Sequence, residues 1–322
     1  MPSQKVLALL EPVVPLILAQ VGTRGLIALA VVGSAARSEE TWHEGKLVGD
    51  IDLAAVVRVP DLLTLHRFQF PRSVLGENIS IGVFPLYSIK RYRTLEFYEA
   101  KETGWVLWGK ADVFDCVRIK NSKNIPKWEG IRLALNRVME CLRARSGLLP
   151  TWYAAVKSYL ALGEADLVFS GEYVPSYCQR LELLEKRGEI LGSRELLNLF
   201  RSATDIKLGR SIPGNFFENE EHENWLLFGL KRLISNFLEE EVAIQDGLER
   251  ISKENVHLIH RTLFLLRHRY QPHYWPKGFW KDPIFDIWAT ALQVIGSDLQ
   301  YRENELIHLV KEWEQVHQPL PS

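Results

Sequence analysis

The sequence lacks the features of a disulfide-linked, a zinc-binding or a membrane-spanning protein. Its three cysteines are an odd number, lie far apart and form no Cys-x-x-Cys pair, which argues against a disulfide framework and against a zinc site. No uninterrupted run of about 18 apolar residues occurs, so we expect no membrane span. The apolar N-terminus is broken by Glu11 and two prolines and is interpreted as a helix rather than a signal peptide. These absences predict a cytoplasmic protein.

An excess of charge of one sign is also lacking. The chain has 39 basic and 40 acidic residues, a formal net charge of -1, and therefore no overall attraction to nucleic acid or to anionic membranes. A polyanionic ligand would have to bind to a local patch of basic residues. With 47% hydrophobic residues in 322, the composition predicts a globular protein of two domains.

Hydrophobic periodicity changes near residue 120. Helix and strand patterns alternate over 1–120, which predicts a small mixed sheet with helices, whereas apolar residues recur three and four apart over 121–322, which predicts an all-helical domain. The predicted fold class is α+β. The predicted strands are 26–33, 47–58, 79–86 and 105–108, and the predicted helices are 4–21, 61–70, 88–102, 128–142, 152–162, 177–186, 193–200, 225–242 and 254–269.

The most informative motif combines a small-residue corner with two carboxylates. Gly33 and Ser34 end one apolar run, and Asp50 and Asp52 stand near the start of the next. On an extended strand, residues two apart project from one face, so the carboxylates come together and repel each other. A divalent cation such as Mg²⁺ or Mn²⁺ relieves that repulsion. A solvated acidic pair and an ordinary turn are the plain alternative.

The stretch GSAARSEETWHEGKLVGDIDLAAVV resembles the signature of the DNA polymerase β-like nucleotidyltransferase superfamily. It is most similar to the small bacterial and archaeal branch that includes aminoglycoside nucleotidyltransferases, and the firm match covers residues 25–58. The resemblance implies a nucleotidyltransferase domain in residues 1–120 followed by the helical domain in 121–322. It also implies that Asp50 and Asp52 are catalytic metal ligands and that Gly33 and Ser34 cradle the phosphates of a nucleoside triphosphate (NTP).

The third carboxylate of that superfamily is missing from its expected strand. Neither alternating set of residues over 78–83 contains an acid. Glu77, at the edge of this strand, reaches the site only if the strand begins with a bulge. It is the candidate catalytic base, and an acid from elsewhere in the chain or water is the alternative. A catalytically degenerate nucleotide-binding or protein-interaction module is therefore the alternative function.

Two cations are candidate phosphate ligands. Arg37 lies three residues beyond Ser34, where a guanidinium can bind phosphate bidentately, although a surface arginine fits the pattern equally well. Lys157 occupies a helix of the second domain at a place where related enzymes position a lysine against the triphosphate. Tyr173, in the stretch that ends at Tyr177, and Arg180 resemble the helix pair that follows this lysine, and packing explains the two tyrosines equally well.

Two further patterns favour structural explanations. His257 and His260 have helical ligand spacing but no third ligand in a recognised pattern. The basic and aromatic stretch 261–281 is suited to RNA, a nucleotide or a sugar, and an aromatic-anchored loop explains it as well. The sequence thus predicts a Mg²⁺-dependent enzyme that transfers a nucleoside monophosphate from an NTP to an acceptor hydroxyl on a small molecule, a protein or RNA.

Overall fold

The structure is a computed structural model. It describes residues 1–21, 25–43, 46–47, 49–58, 78–212, 221–254 and 283–296, together with 306, 307 and 309–311. Within these residues, four strands form one mixed sheet in the order β5-β4-β1-β6, and β2 and β3 form a short hairpin. The strands are β1 (Leu26–Val32), β2 (Trp42–His43), β3 (Lys46–Leu47), β4 (Ile51–Val57), β5 (Ile79–Pro85) and β6 (Trp105–Gly109).

Helices flank the sheet and make up the described chain from Trp128 onward. Those near the sheet are α1 (Gln4–Leu10), α2 (Val13–Val21), α3 (Gly33–Ala36), α4 (Leu86–Arg91) and α5 (Leu95–Thr103). Those that follow are α6 (Trp128–Arg145), α7 (Thr151–Ser170), α8 (Tyr177–Arg187), α9 (Arg194–Lys207), α10 (Glu221–Leu238), α11 (Ile244–Glu254) and α12 (Pro283–Ile295). The predicted α+β class, with a small mixed sheet followed by helices, is confirmed.

The two faces of the sheet bury different helices. Ile51, Leu53 and Ala55 of β4 pack, with α1 and α2, into one apolar cluster. Ala54 and Val56 point the other way and belong to a second cluster that continues through α5 into the later helices. Because Asp52 has the parity of Ala54, its carboxylate projects on the face that carries the later helices.

The helical part is built around α7. This helix packs against α6, α9 and α10, and it is apolar on nearly all sides because it is surrounded by them. None of the helices in the described parts of the chain combines the length and the apolar character needed to cross a membrane.

Buried ion pairs join the sheet region to the helical part. Arg180 of α8 is almost fully buried, donates to the Val174 carbonyl at 2.7 Å, and pairs with Glu99 of α5 at 2.6 Å. It also contacts Glu164 of α7 and the Tyr173 hydroxyl. Since an unpaired buried charge is strongly destabilising, this network fixes α5 against α7 and α8.

Two predicted helices are each divided in two. The helix predicted over 4–21 breaks after Leu10, where Pro12 supplies no N–H to continue the hydrogen-bond ladder. The helix predicted over 88–102 breaks because Tyr92 is extended and Thr94 caps a new helix, accepting a hydrogen bond from the Phe97 N–H. The helix predicted over 61–70 lies outside the described residues, as does nearly all of that over 254–269.

Candidate active site

The carboxylate pair lies where β4 begins. Asp50 immediately precedes the strand and Asp52 is its second residue, and both side chains are exposed. The register places Asp52 opposite Val32, the last residue of the antiparallel strand β1. Gly33 follows Val32 directly, so the strand pairing alone brings the small-residue corner beside Asp52.

Gly33 is required at this corner for two reasons. Its φ of +66° lies in the left-handed region, which residues with a Cβ adopt only with strain. A Cβ at this position would also lie 3.2 Å from Oδ2 of Asp52. The corner and the carboxylate therefore approach each other as closely as they do only because residue 33 is glycine.

Ser80 occupies the neighbouring position on β5. The parallel register pairs Asp52 with Ser80, and the Ser80 hydroxyl donates a 2.7 Å hydrogen bond to Oδ1 of Asp52. The set Ser80, Gly82 and Phe84 thus shares the face of Asp52, and the side chain beside the carboxylate is a neutral hydroxyl. Glu77, the predicted base, lies outside the described residues.

Lys207 is a site residue that the sequence analysis missed. Its Nζ lies 3.5 Å from the Ser34 hydroxyl. The Lys207 Nζ also lies close to Gly49, where a Cβ would be 3.6 Å from it. Its backbone carbonyl accepts a 2.6 Å hydrogen bond from Thr41 Oγ1. The last residue of α9 is therefore held against the corner and the start of the Asp50–Asp52 segment.

No local motif marks Lys207 in the sequence. The apolar spacing predicts a helix over 193–200, whereas α9 continues to Lys207, and the extra two turns carry the lysine to the site. Burial, followed by the nearby charge of Lys157, lowers the pKa of Lys207 to about 8, against an ordinary value of 10.5. Among the described residues no carboxylate forms a salt bridge with it.

Lys157, the lysine predicted from the sequence, already has an acidic partner. Its Nζ is 3.0 Å from Oε1 of Glu140 and 4.6 Å from the centre of the Tyr153 ring. Burial alone would lower the pKa of Lys157, but the Glu140 carboxylate reverses that effect and the pKa is raised. The Lys157 ammonium also favours the charged form of Asp52 electrostatically, although its direct contacts are with Glu140 and Tyr153.

Asp52 is exposed to solvent at the base of this arrangement. Surrounding protein nevertheless displaces much of its water, and this burial raises the pKa of Asp52, with a smaller rise from Asp50. The Ser80 hydrogen bond and the two lysines act in the opposite direction. Asp50 makes no hydrogen bond or ion pair within the described residues, so its carboxylate is available to a ligand.

Arg37, the other predicted phosphate ligand, is embedded in the connection between the sheet region and α8. Its Nε donates to Glu39 at 2.9 Å and its Nη1 lies 3.7 Å from Glu99. Glu39 in turn accepts hydrogen bonds from the Ser176 hydroxyl at 2.8 Å and from the Tyr177 N–H at 3.0 Å. Two carboxylates therefore already engage Arg37, which remains a predicted phosphate ligand.

We refer to Ser34, Asp50, Asp52, Lys157 and Lys207 as the carboxylate–lysine site. It combines two carboxylates at the start of β4 with two ammonium groups of the helical part, of which that of Lys207 lies 3.5 Å from the Ser34 hydroxyl. Its acidic donors are hard oxygen ligands, and one of them, Asp50, has no partner among the described residues, which fits Mg²⁺ or Mn²⁺. The lysines fit a polyanion bound to that ion, so the arrangement suits a metal-chelated phosphate chain.

A second cluster of possible metal ligands lies inside the helical part. Cys141, His222 and Glu223 are buried with their ligand atoms within 4.8 Å of one another. Glu223 is held by Arg145, whose Nε lies 2.9 Å away, and burial raises the pKa of Cys141, which keeps the thiol protonated. A protonated thiol and a carboxylate already paired with arginine do not fit a metal centre.

The remaining sequence candidates cannot be placed. His257 and His260, like the basic and aromatic stretch 261–281, lie outside the described residues.

Comparison with known proteins finds similarity to solved structures only. No family model matches the chain, and no curated protein matches it. Among solved structures, the chain is similar to spectinomycin adenyltransferase AAD(9) from Enterococcus faecialis, determined with ATP and spectinomycin. The identity is 15%, the TM-score is 0.47, and the alignment covers 70% of this chain and 98% of that one.

Proposed function

We propose that the carboxylate–lysine site binds a Mg²⁺–NTP complex and transfers its nucleoside monophosphate to an acceptor hydroxyl. The observation that carries this proposal is the approach of Lys207 to Ser34, opposite Asp50 and Asp52. In this proposal residues 1–120 supply the carboxylates and the corner, and residues 121–322 supply the lysines. The motif resemblance over residues 25–58 independently points to the same chemistry.

Each group has a distinct part in the proposed reaction. Asp50 and Asp52 would hold the metal ion, which would supply positive charge to the phosphates. The Ser34 hydroxyl donates a hydrogen bond to a phosphate oxygen, and the Lys207 and Lys157 ammonium groups stabilise negative charge on the triphosphate. Reactions of this kind depend mainly on positioning and charge stabilisation, which are what these groups provide.

The covalent step is a displacement at the α-phosphorus. The acceptor oxygen forms a bond to that phosphorus as the bond to the pyrophosphate oxygen breaks. The hydroxyl proton passes to a base, for which Glu77 is the proposed residue. Gly33 and Arg37 complete the proposed set, Gly33 by allowing close approach at the corner and Arg37 as a further phosphate ligand.

A second function is favoured by Ser80. A neutral hydroxyl stands beside Asp52 where a carboxylate would assist removal of the proton, and this arrangement suits nucleotide binding without transfer. Both functions require Mg²⁺-dependent NTP binding, and they differ only in turnover.

One experiment separates these possibilities. The protein is incubated with Mg²⁺, each of the four NTPs labelled at the α-phosphate, and acceptors drawn from small polyhydroxy molecules, proteins and RNA. Transfer of label with release of pyrophosphate is the expected result. Mg²⁺-dependent binding without transfer would assign the binding module, and absence of binding to any NTP would contradict both functions.

A glycine pair tests the role of the corner. Gly33→Ala and Gly147→Ala introduce a Cβ at φ +66° and φ +68°, so each should lower the free energy of unfolding by about 1 kcal/mol. Only at residue 33 does the new Cβ meet a neighbour, Oδ2 of Asp52, whereas at Gly147 it meets nothing within 4 Å. Urea unfolding should therefore show a loss for Gly33→Ala at least as large as that for Gly147→Ala, while calorimetry should show weaker Mg²⁺–ATP binding for Gly33→Ala alone. Equal nucleotide affinities in the two variants would contradict the proposed contact.

A further inference from the structure

We propose that Tyr177 is a positioning residue whose aromatic ring holds the Lys207 ammonium toward Ser34. Lys207 Nζ lies 5.7 Å from the centre of this ring, within the range of about 6 Å at which a cation is attracted to an aromatic face. The inference rests on the proposed function for the identity of the ligand, an NTP. The contact between ring and ammonium is a property of the free protein.

Lys207 needs such a partner because its surroundings otherwise disfavour the charge. The single hydrogen bond of its ammonium within the described residues is the 3.5 Å contact with Ser34, and the charge of Lys157 repels it. A flexible four-carbon side chain in this position would turn toward solvent. The Tyr177 ring offers an attraction that opposes this movement.

An aromatic partner suits a phosphate-binding lysine better than a carboxylate does. The Glu140 carboxylate takes a hydrogen bond from Lys157, and that donor has to be released before it can reach a phosphate. A ring attracts the ammonium through its quadrupole and leaves the N–H donors available. Lys207 is thereby oriented without being neutralised.

Tyr177 is itself held firmly. Its N–H donates to Glu39, and the neighbouring Ser176 hydroxyl donates to the same carboxylate. The guanidinium groups of Arg180 and Arg37 lie 4.7 and 5.7 Å from its ring centre. Its hydroxyl makes no hydrogen bond with any described residue, so the ring, and not the hydroxyl, is the part that acts.

Variants that keep or remove the ring test this assignment. Tyr177→Leu should weaken Mg²⁺–ATP binding by about 3- to 30-fold, the range expected for loss of one cation–π contact, whereas Tyr177→Phe should bind within about twofold of the wild type. In a Lys207→Met background, Tyr177→Leu should add little further loss, because the two residues act through one contact. The proposal would be overturned if Tyr177→Phe and Tyr177→Leu lost the same Mg²⁺–ATP affinity. It would also be overturned if the loss in the Tyr177→Leu, Lys207→Met double variant were the full sum of the two single losses.

A second readout does not depend on nucleotide. The rate at which acetic anhydride modifies Lys207 in the free protein, measured by mass spectrometry, should rise several-fold in Tyr177→Leu and stay unchanged in Tyr177→Phe. An unchanged rate in both variants would overturn the positioning role even if ATP binds. A raised rate for Tyr177→Leu in a protein that binds no NTP would support the role of the ring and reject the proposed function. Tyr177→Met replaces the leucine variant if circular dichroism shows that the latter is unfolded.

Discussion

Replacing Lys207 with methionine should weaken Mg²⁺–ATP binding by about 10- to 100-fold and, at the same time, make the free protein more stable at pH 7. The loss of affinity is the scale of one charge-assisted hydrogen bond to a phosphate. The gain in stability follows from the lowered pKa of about 8, because a lysine that resists protonation in the folded protein opposes folding while it is charged. Residues kept for ligand binding at the expense of stability behave in this way.

The lowered pKa of Lys207 also makes the free energy of unfolding depend on pH. Between pH 8 and the ordinary lysine pKa of 10.5, the unfolded chain binds more protons at residue 207 than the folded protein does. Wild-type stability therefore gains a contribution from Lys207 as the pH rises through this window. The advantage of Lys207→Met, on the order of 1–3 kcal/mol at pH 7, should shrink toward pH 10.5. Urea unfolding at a series of pH values measures both effects.

Lys157→Met is the matched control because the pKa of Lys157 is shifted in the opposite direction from that of Lys207. The Glu140 carboxylate raises the pKa of Lys157, so this lysine stabilises the fold below its unfolded pKa and the contribution is lost as the pH rises through the folded pKa. Lys157→Met should therefore lower the free energy of unfolding at pH 7. If both variants destabilise the protein, or if Lys207→Met binds Mg²⁺–ATP like the wild type, our account of Lys207 is wrong.

Asp50→Asn and Asp52→Asn should each abolish Mg²⁺-dependent NTP binding and any transfer of nucleoside monophosphate, while leaving the protein folded. Both side chains are exposed and contribute charge rather than packing. Because burial raises the pKa of Asp52, its ionised form is disfavoured in the folded protein, and loss of that charge should not lower stability near neutral pH. Calorimetric titration with Mg²⁺–ATP and circular dichroism measure the two outcomes.

Asp112→Asn serves as the control for removal of a surface carboxylate. The Asp112 side chain is 58% exposed, and its one ion pair among the described residues is a 3.5 Å contact with Lys110, so its loss should change neither stability nor binding. Unchanged nucleotide affinity in both Asp50→Asn and Asp52→Asn would rule out the carboxylate pair as the metal-binding group.

The sheet was predictable from local sequence because its determinants are local. Alternating parity in β4 separates Asp52 from Ile51 and Leu53, so the face of the carboxylate follows from the order of residues. Alternation along β5 likewise places only neutral residues on the matching face, and the structure shows Ser80 beside Asp52. The juxtaposition of Gly33 with Asp52 follows from pairing of two consecutive apolar runs.

The helical half of the site was not predictable in the same way. Lys207 reaches Ser34 only through the packing of α9 against α7 and the Thr41 hydrogen bond to its carbonyl, contacts between residues far apart in sequence. Nothing in the amphipathic pattern of a helix distinguishes a lysine at its end from any solvated lysine. The approach of Tyr177 to Lys207 depends on the same packing and is equally invisible in the sequence.

The central claim is that Asp50 and Asp52 bind a metal–NTP complex whose phosphates contact Ser34 and Lys207. A crystal structure of the protein with Mg²⁺ and a non-hydrolysable ATP analogue tests it most directly. We expect the metal ion between the two carboxylates, a phosphate oxygen within hydrogen-bond distance of the Ser34 hydroxyl, and Lys207 Nζ on the triphosphate. A nucleotide bound elsewhere, or carboxylates without metal beside a bound nucleotide, would contradict this account.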